Sequence, residues 1–190
     1  PNMVICQPRD GKVLKELMNV AFDWKKPTAI RYPNMITEKD EEPVKMRKLG
    51  KGEILIKGQG LLIIALGHMN NEAIKVAQML TDKGIECSVF DPIFIKPLDE
   101  DALFSLLETH SMIVTLEEHS LQGGLGSVIN QFLMQNNRGE VQVLNKGILD
   151  VYLQQGSRTD LLKEVGLLPE QIVEDIIENF SLKSKQLASL

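Results

Sequence analysis

The sequence is short of cysteine, of aromatic residues, of basic charge and of long apolar runs, and each shortage excludes something. Cys6 and Cys87 are the whole cysteine complement of 190 residues. Each lies inside a short apolar segment that reads as a strand, so both are expected as small buried hydrophobes, not as a metal pair or a disulfide. A reducing, cytoplasmic compartment is expected from that usage. The longest uninterrupted apolar stretch, Leu61 to Leu66, is far shorter than the ~20 residues that cross a bilayer, so no membrane segment is expected. Lys and Arg number 21 against 26 Asp and Glu, a formal net charge of −5. Nucleic-acid binding needs clustered basic residues whose pairing with phosphate releases counterions. No basic stripe occurs, and no nucleic-acid partner is expected.

Catalytic constellations are missing as well. There is no Gly-Asp-Gly run with a downstream Asn, no Ser-His-Asp set and no Cys/His cluster. Read alone, the chain lacks a catalytic centre. What is present is ordinary globular material, 43% hydrophobic and 25% charged, enough for one core and some surplus. Pro1 leads within two residues into strand-like Met3-Val4-Ile5-Cys6. A natural domain seldom begins inside a hydrophobic strand, so a piece of a longer protein is expected.

Periodicity predicts a strand over Met3–Cys6, a helix over Asp10–Trp24 with Asp10 as N-cap, and a strand over Thr28–Tyr32. Strand, helix, strand is a βαβ unit and demands a parallel pair. Two strands are too few to stand alone, so this block should lean on something else. From Pro33 to Gly52 the texture changes: acidic Glu38–Glu42, then Pro43, then basic Lys45, Arg47, Lys48 and Lys51. Sign-separated charge and low hydrophobicity predict a linker crossing a surface, with a solvated loop inside one domain as the alternative.

Beyond the linker, strands are predicted at Glu53–Lys57, Leu61–Leu66, Glu86–Phe90, Ser111–Leu116 and Val141–Leu144. Helices are predicted at Asn70–Lys83, Asp99–His110, Gly124–Gln135 and Pro169–Phe180. This alternation describes a mostly parallel sheet covered on both faces. The first two of these strands are expected as an antiparallel hairpin through Gly58-Gln59-Gly60. The tail Ser181–Leu190 is polar and expected to fray.

The run Leu116-Glu117-Glu118-His119-Ser120-Leu121-Gln122-Gly123-Gly124-Leu125-Gly126-Ser127 follows a strand and opens a helix. Helix N-termini at the carboxyl edge of a parallel sheet offer N–H groups to anions. Against a phosphate site, the spacing matches no nucleotide fingerprint and two glutamates would repel an anion. Gly123, Gly124 and Gly126 are therefore expected chiefly as a structural turn or a subunit contact. His119 beside two carboxylates is a general-base candidate or simply a solvated loop residue, while His68 and His110 stand at element ends without a distinguishing context. Arg31-Tyr32-Pro33 closes the second strand at another carboxyl edge. Arg31 there holds a phosphate or carboxylate, or pairs with an acid of a neighbouring segment.

Most of the length resembles a known family. Met3–Pro8 with Asp10, then Pro27-Thr28-Ala29-Ile30-Arg31-Tyr32-Pro33, is similar to the end of the pyrimidine-binding domain of 1-deoxyxylulose-5-phosphate synthases. Gly50-Lys51-Gly52-Glu53 looks like the entry to their transketolase C-terminal domain. Phe94-Ile95-Lys96-Pro97-Leu98-Asp99, Val114-Thr115-Leu116-Glu117-Glu118, Gly123-Gly124-Leu125-Gly126-Ser127 and Gln155-Gly156-Ser157 continue in the family's order. The resemblance implies an α/β chain: a remnant βαβ of a pyrimidine-binding domain (1–37), a linker (38–51), a transketolase C-terminal domain (52–181) and a tail (182–190). That domain would have a mostly parallel sheet with one antiparallel edge strand and helices on both faces.

The activity implied is condensation of pyruvate with glyceraldehyde 3-phosphate to 1-deoxy-D-xylulose 5-phosphate and CO2, on thiamine diphosphate with Mg2+. The cofactor ligands and catalytic residues would lie upstream of Pro1, so no cofactor, metal or catalytic residue is expected within this chain. Its partners would be the remainder of its own chain, a second copy in a homodimer, and the small-molecule substrates. The substrate-binding position the resemblance implies here is Asn34, which stands where the family carries a second Arg on the aldehyde's phosphate; Arg31 beside it is a substrate-binding candidate from its place at a strand end. A transketolase, the beta-type chain of a 2-oxo-acid dehydrogenase and a non-catalytic interaction or regulatory module are the competing readings.

Overall fold

The computed structural model of the chain describes residues 1–33 and 43–182. The tail from 183 and residues 34–42, which hold Asn34 and the start of the predicted linker, lie outside the described residues. The chain begins with β1 (Val4–Cys6), α1 (Gly11–Ala21), a 3-10 turn (Phe22–Trp24) and β2 (Thr28–Ile30). There follow β3 (Glu53–Ile56), β4 (Gly60–Ala65), α2 (Met69–Asp82), β5 (Cys87–Asp91), β6 (Phe94–Lys96), α3 (Glu100–Leu107) and β7 (His110–Ser120). The last elements are α4 (Leu125–Gln135), β8 (Gln142–Ile148), α5 (Arg158–Glu164) and α6 (Pro169–Asn179).

Asp10 caps α1, its Oδ1 accepting from Val13 N at 2.7 Å, which satisfies one of the N–H groups a helix start leaves unpaired. Val13, Leu17 and Val20 form the buried face of α1. β1 and β2 pair in parallel, and the support this small unit needs comes from β6, which lies antiparallel on the other side of β1. The pairing reaches across the predicted domain boundary. So does the small core of Val4, Cys6, Val13, Leu17, Ile93 and Phe94, where Trp24 meets Phe94 edge to face at 5.6 Å.

The larger sheet has the order β3-β5-β4-β7-β8. β5, β4, β7 and β8 run parallel. β3 is the antiparallel edge strand, but its partner is β5 and not β4, so the predicted hairpin is corrected. At Gly58 the chain passes tightly over the start of β5: its N–H donates to Ser88 Oγ at 2.9 Å, and a Cβ there would lie 2.3 Å from Cys87 O. The turn thus carries the chain across β5 instead of folding it back on itself. Alternation along β4 splits its side chains between two cores, Leu61, Ile63 and Ala65 toward α2 and α6, Leu62, Ile64 and Leu66 toward α3 and α4. Both cysteines are free and buried in strands, and no described helix is long and apolar enough to cross a membrane.

Residues 43–51 carry the predicted basic run, and most of its charge is neutralised. The Arg47 side chain is 6% exposed and lies between Glu16 of α1, at 2.6 Å, and Glu53 of β3, at 3.1 Å. Lys45 Nζ also reaches Glu53, and Arg9 ion-pairs with Glu53 and Asp91 at 2.8 Å each. Lys51 Nζ and Gly52 N both bond Asp99, the N-cap of α3. Gly50, with φ +70, leaves no room for a side chain beside Pro97, whose Cγ would lie 2.7 Å from a Cβ. The Gly50-Lys51-Gly52 and Lys96-Pro97-Leu98-Asp99 segments, far apart in sequence, are therefore mated surfaces.

Candidate functional site

The predicted strand end at Leu116 is extended: β7 runs on to Ser120, so Glu117, Glu118 and His119 are strand residues and not a loop. Alternation sends successive side chains to opposite faces. Glu117, 1% exposed, turns its carboxylate onto the start of α4, accepting from Leu125 N at 2.7 Å and Gly126 N at 2.9 Å. A Cβ on Gly124 would sit 2.0 Å from Glu117 Oε2, and one on Gly126 would sit 2.8 Å from Asn145 Oδ1. Gly123 adopts φ +75, a left-handed conformation that glycine takes without strain. Its N–H donates to Ser127 Oγ. The N–H groups of Leu125 and Gly126 that could cradle a phosphate are thus already used by the protein's own carboxylate. Burial pushes the Glu117 carboxyl above its ordinary range, against the pull of the Gly126 and Leu125 N–H groups.

Glu118 points the other way and forms a two-pronged pair with Arg158, Nε to Oε1 at 3.1 Å and Nη2 to Oε2 at 2.8 Å. Arg158 opens α5, whose N-cap Ser157 accepts from Asp160 N. The Gln155-Gly156-Ser157 motif is therefore the lead-in to a capped helix that presents an arginine.

Arg31 follows β2. Its Nη1 donates to Gln7 Oε1 at 3.2 Å and its Nη2 to the main-chain oxygen of Glu118 at 2.9 Å. Both partners are neutral. Gln7, Arg31, Tyr32, Pro33, His68 and Glu118 line a polar cleft of about 190 Å³. Residues just past the ends of β1, β2 and β4, together with Glu118 near the end of β7, meet there, at the carboxyl edge where α/β sheets bind ligands. Gly67 permits the assembly, since a Cβ on it would meet the Gln7 side chain at 2.4 Å. A wider hollow of about 470 Å³ beside Met18, Phe22, Pro27 and Ile30 is mostly apolar, with no acid or histidine in its lining.

The other predicted residues fall elsewhere. His119 is exposed, its Nδ1 3.0 Å from Ser120 O. His110, placed by the sequence at the end of a helix, instead opens β7 and is buried. Its Nδ1 lies 2.7 Å from Leu106 O, and its Nε2 meets the Ser88 hydroxyl at 2.9 Å. Asn34 lies outside the described residues. Among the described residues no three His, Cys, Asp or Glu side chains are grouped to hold a metal ion. Sequence reasoning missed Gln7, His68 and Glu118 as neighbours of Arg31, and Arg158 as the partner of Glu118. Gln7 and His68 follow apolar strands just as Arg31 does, and the same strand-end rule would have found them.

These features define an open α/β domain with a small polar cleft at its strand ends that holds Arg31. Residues 50–172 match the family described as transketolase, C-terminal domain, and the chain belongs to that family. A 1-deoxy-D-xylulose-5-phosphate synthase from Chlamydia muridarum is 43% identical over 186 residues, 97% of this chain and 29% of the relative. The protein of the same name from Chlamydia trachomatis serovar A is 46% identical over 184 residues, 95% of this chain and 29% of the relative. The chain thus spans about three tenths of the length of these relatives. Among solved structures, a split-gene transketolase described as an inactive beta4 tetramer superposes with a TM-score of 0.85 at 30% identity, covering 96% of this chain and 59% of that one. A Pichia stipitis transketolase superposes with a TM-score of 0.69 at 17% identity, over 95% of this chain and 25% of that one, a likeness of fold alone.

Proposed function

We propose that the chain is the carboxyl-terminal part of a 1-deoxy-D-xylulose-5-phosphate synthase, which condenses pyruvate with glyceraldehyde 3-phosphate and releases CO2. We propose further that the cleft at Arg31 receives the aldehyde's phosphate. The relatives of that name at 43% and 46% identity support the first part. The observation that carries the second is Arg31 itself: an exposed guanidinium at a strand end, hydrogen-bonded to neutral oxygens of Gln7 and Glu118, with the buried Glu117 carboxyl within its electrostatic reach but bonded to the N–H groups of α4. A guanidinium presents parallel N–H donors that match a phosphate. Gln7 fixes one side of that fork and the Glu118 carbonyl the other. Because the phosphate is remote from the reacting carbon, its binding should be similar in ground and transition states and act mainly on KM.

Thiamine diphosphate, with Mg2+, supplies the carbon centre that takes up the negative charge left when pyruvate loses CO2. The described residues of this chain do not fit it. The helix start that could hold a diphosphate is filled by Glu117, and no metal-holding cluster is found among them. The chain by itself should make no product. The test is an assay of the complete chain with 13C-labelled pyruvate, glyceraldehyde 3-phosphate, thiamine diphosphate and Mg2+. Labelled 1-deoxyxylulose 5-phosphate with stoichiometric CO2 is the expected result. Two-carbon transfer between sugar phosphates without use of pyruvate would overturn it in favour of a transketolase.

A further inference from the structure

An anion cleft beside the tandem Glu117-Glu118 is a contradiction unless both carboxylates are otherwise engaged. The structure engages both. Glu117 is held by the N–H groups of Leu125 and Gly126. Glu118 lines the cleft, and its main-chain oxygen is bonded directly to Arg31, yet its side chain is drawn off by Nε and Nη2 of Arg158. Released from Arg158, that carboxylate would need only a side-chain rotation to meet the guanidinium already bonded to its own carbonyl. A charge-assisted carboxylate–guanidinium pair is stronger than the neutral contacts Arg31 now makes. It would neutralise the charge an incoming anion requires.

We propose that Arg158 is a positioning residue for the cleft: by holding the Glu118 carboxylate it keeps Arg31 available for the phosphate of an aldehyde substrate. This rests on the reading that Arg31 binds that phosphate. It also gives the Gln155-Gly156-Ser157 turn a purpose, since the capped start of α5 sets Arg158 opposite Glu118. An arginine that only anchored α5 would leave the choice between phosphorylated and unphosphorylated substrate untouched.

The test uses the complete synthase chain and the ratio of kcat/KM for glyceraldehyde 3-phosphate to that for D-glyceraldehyde, at saturating pyruvate. Arg158→Gln should lower this ratio about tenfold, the scale of one charge-assisted contact. Adding Glu118→Gln to that variant should restore the ratio to within about threefold of the parent, because a neutral amide does not compete for Arg31 as a carboxylate does. An unchanged ratio in Arg158→Gln, or a double variant no better than the single one, overturns the proposal. Arg31→Ala separates this from the underlying reading. If it leaves the ratio unchanged, the phosphate assignment itself fails; if it lowers the ratio and Arg158→Gln does not, only the role of Arg158 fails. Should Arg158→Gln not fold, Arg158→Lys decides by the same ratio, with a partial fall expected and no fall contradicting the proposal.

Discussion

Replacing Glu117 with Ala should cost the fold far more than replacing its neighbour Glu118. Glu117 accepts two N–H bonds at the start of α4, and its carboxylate is the only acceptor for either donor among the described contacts. Truncation leaves the N–H groups of Leu125 and Gly126 buried and unpaired, at about 1–3 kcal/mol each. Part of that is offset, because a buried carboxylate is itself costly to keep ionised, as the raised Glu117 pKa shows. A net loss of about 2–4 kcal/mol is expected. Glu117→Gln keeps the shape but turns an NH2 toward one of the two donors, so about half that loss is expected. Glu118→Ala removes a partly exposed pair with Arg158, worth about 0–1 kcal/mol. Urea unfolding of the chain followed by far-UV circular dichroism gives all three values, provided the slope with denaturant is unchanged. Glu117→Ala within about 0.5 kcal/mol of the parent, or Gln worse than Ala, would refute the reasoning.

Gly126→Val should destabilise by about 2–4 kcal/mol by overpacking and by breaking a buried hydrogen bond, since its Cβ would displace the Asn145 side chain that accepts from Thr115 Oγ1; a well-folded variant with an unshifted melting temperature contradicts this. Two acids, Asp91 buried and Glu53 half-buried, should shape the pH profile of stability in opposite directions. Burial pushes Asp91 up to about 6 from 3.8 despite Arg9, so its contribution is fully present below 3.8 and lost as pH rises through about 6. Burial would also raise Glu53, but Lys45, Arg47 and Arg9 bring it down from 4.5 to about 2, so its contribution is present above 4.5 and lost as pH falls toward 2. Asp91→Asn should flatten the upper window and Glu53→Gln the lower, and urea midpoints that keep both slopes would contradict the assignment. On the proposed function, Asn34→Arg in the complete chain should lower the KM for glyceraldehyde 3-phosphate and leave that for pyruvate nearly unchanged; equal effects on phosphorylated and unphosphorylated aldehydes would contradict a phosphate role for position 34.

The parts of the fold legible in the sequence were those with one dominant pattern. The apolar 3–4 spacing of Val13, Leu17 and Val20 marks α1, and the two-faced apolar run of β4 marks a buried parallel strand. What was not legible depends on partners distant in sequence. Gly58-Gln59-Gly60 looks like a hairpin because a turn motif records the local reversal but not which strand lies between its arms; Cys87 and Ser88 of β5 decide that. Three-residue β6 was missed because beside Pro97 it has too few residues to show alternation. Short α5 was missed for a similar reason, with one buried residue, Leu162, in place of an apolar face. At the site, the strand-end rule located Arg31, but the charged residues around it resist local reading. Glu117 and Glu118 look alike in sequence, and only the pleat of β7 shows that one caps a helix while the other meets Arg158. The basic run ending at Lys51 looks solvated until Glu16, Glu53 and Asp99 are brought beside it.

The most direct test of the proposed function is the response of substrate choice to Arg31→Ala in the complete chain. If Arg31 holds the aldehyde's phosphate as proposed, its loss should lower kcat/KM for glyceraldehyde 3-phosphate relative to D-glyceraldehyde by about tenfold, the low end for an exposed charge-assisted contact. The KM for pyruvate should stay within about twofold, since the lost contact touches only the aldehyde. That pattern is what a phosphate-binding cleft at these strand ends predicts. An equal loss for both aldehydes, or no loss for either, would contradict it.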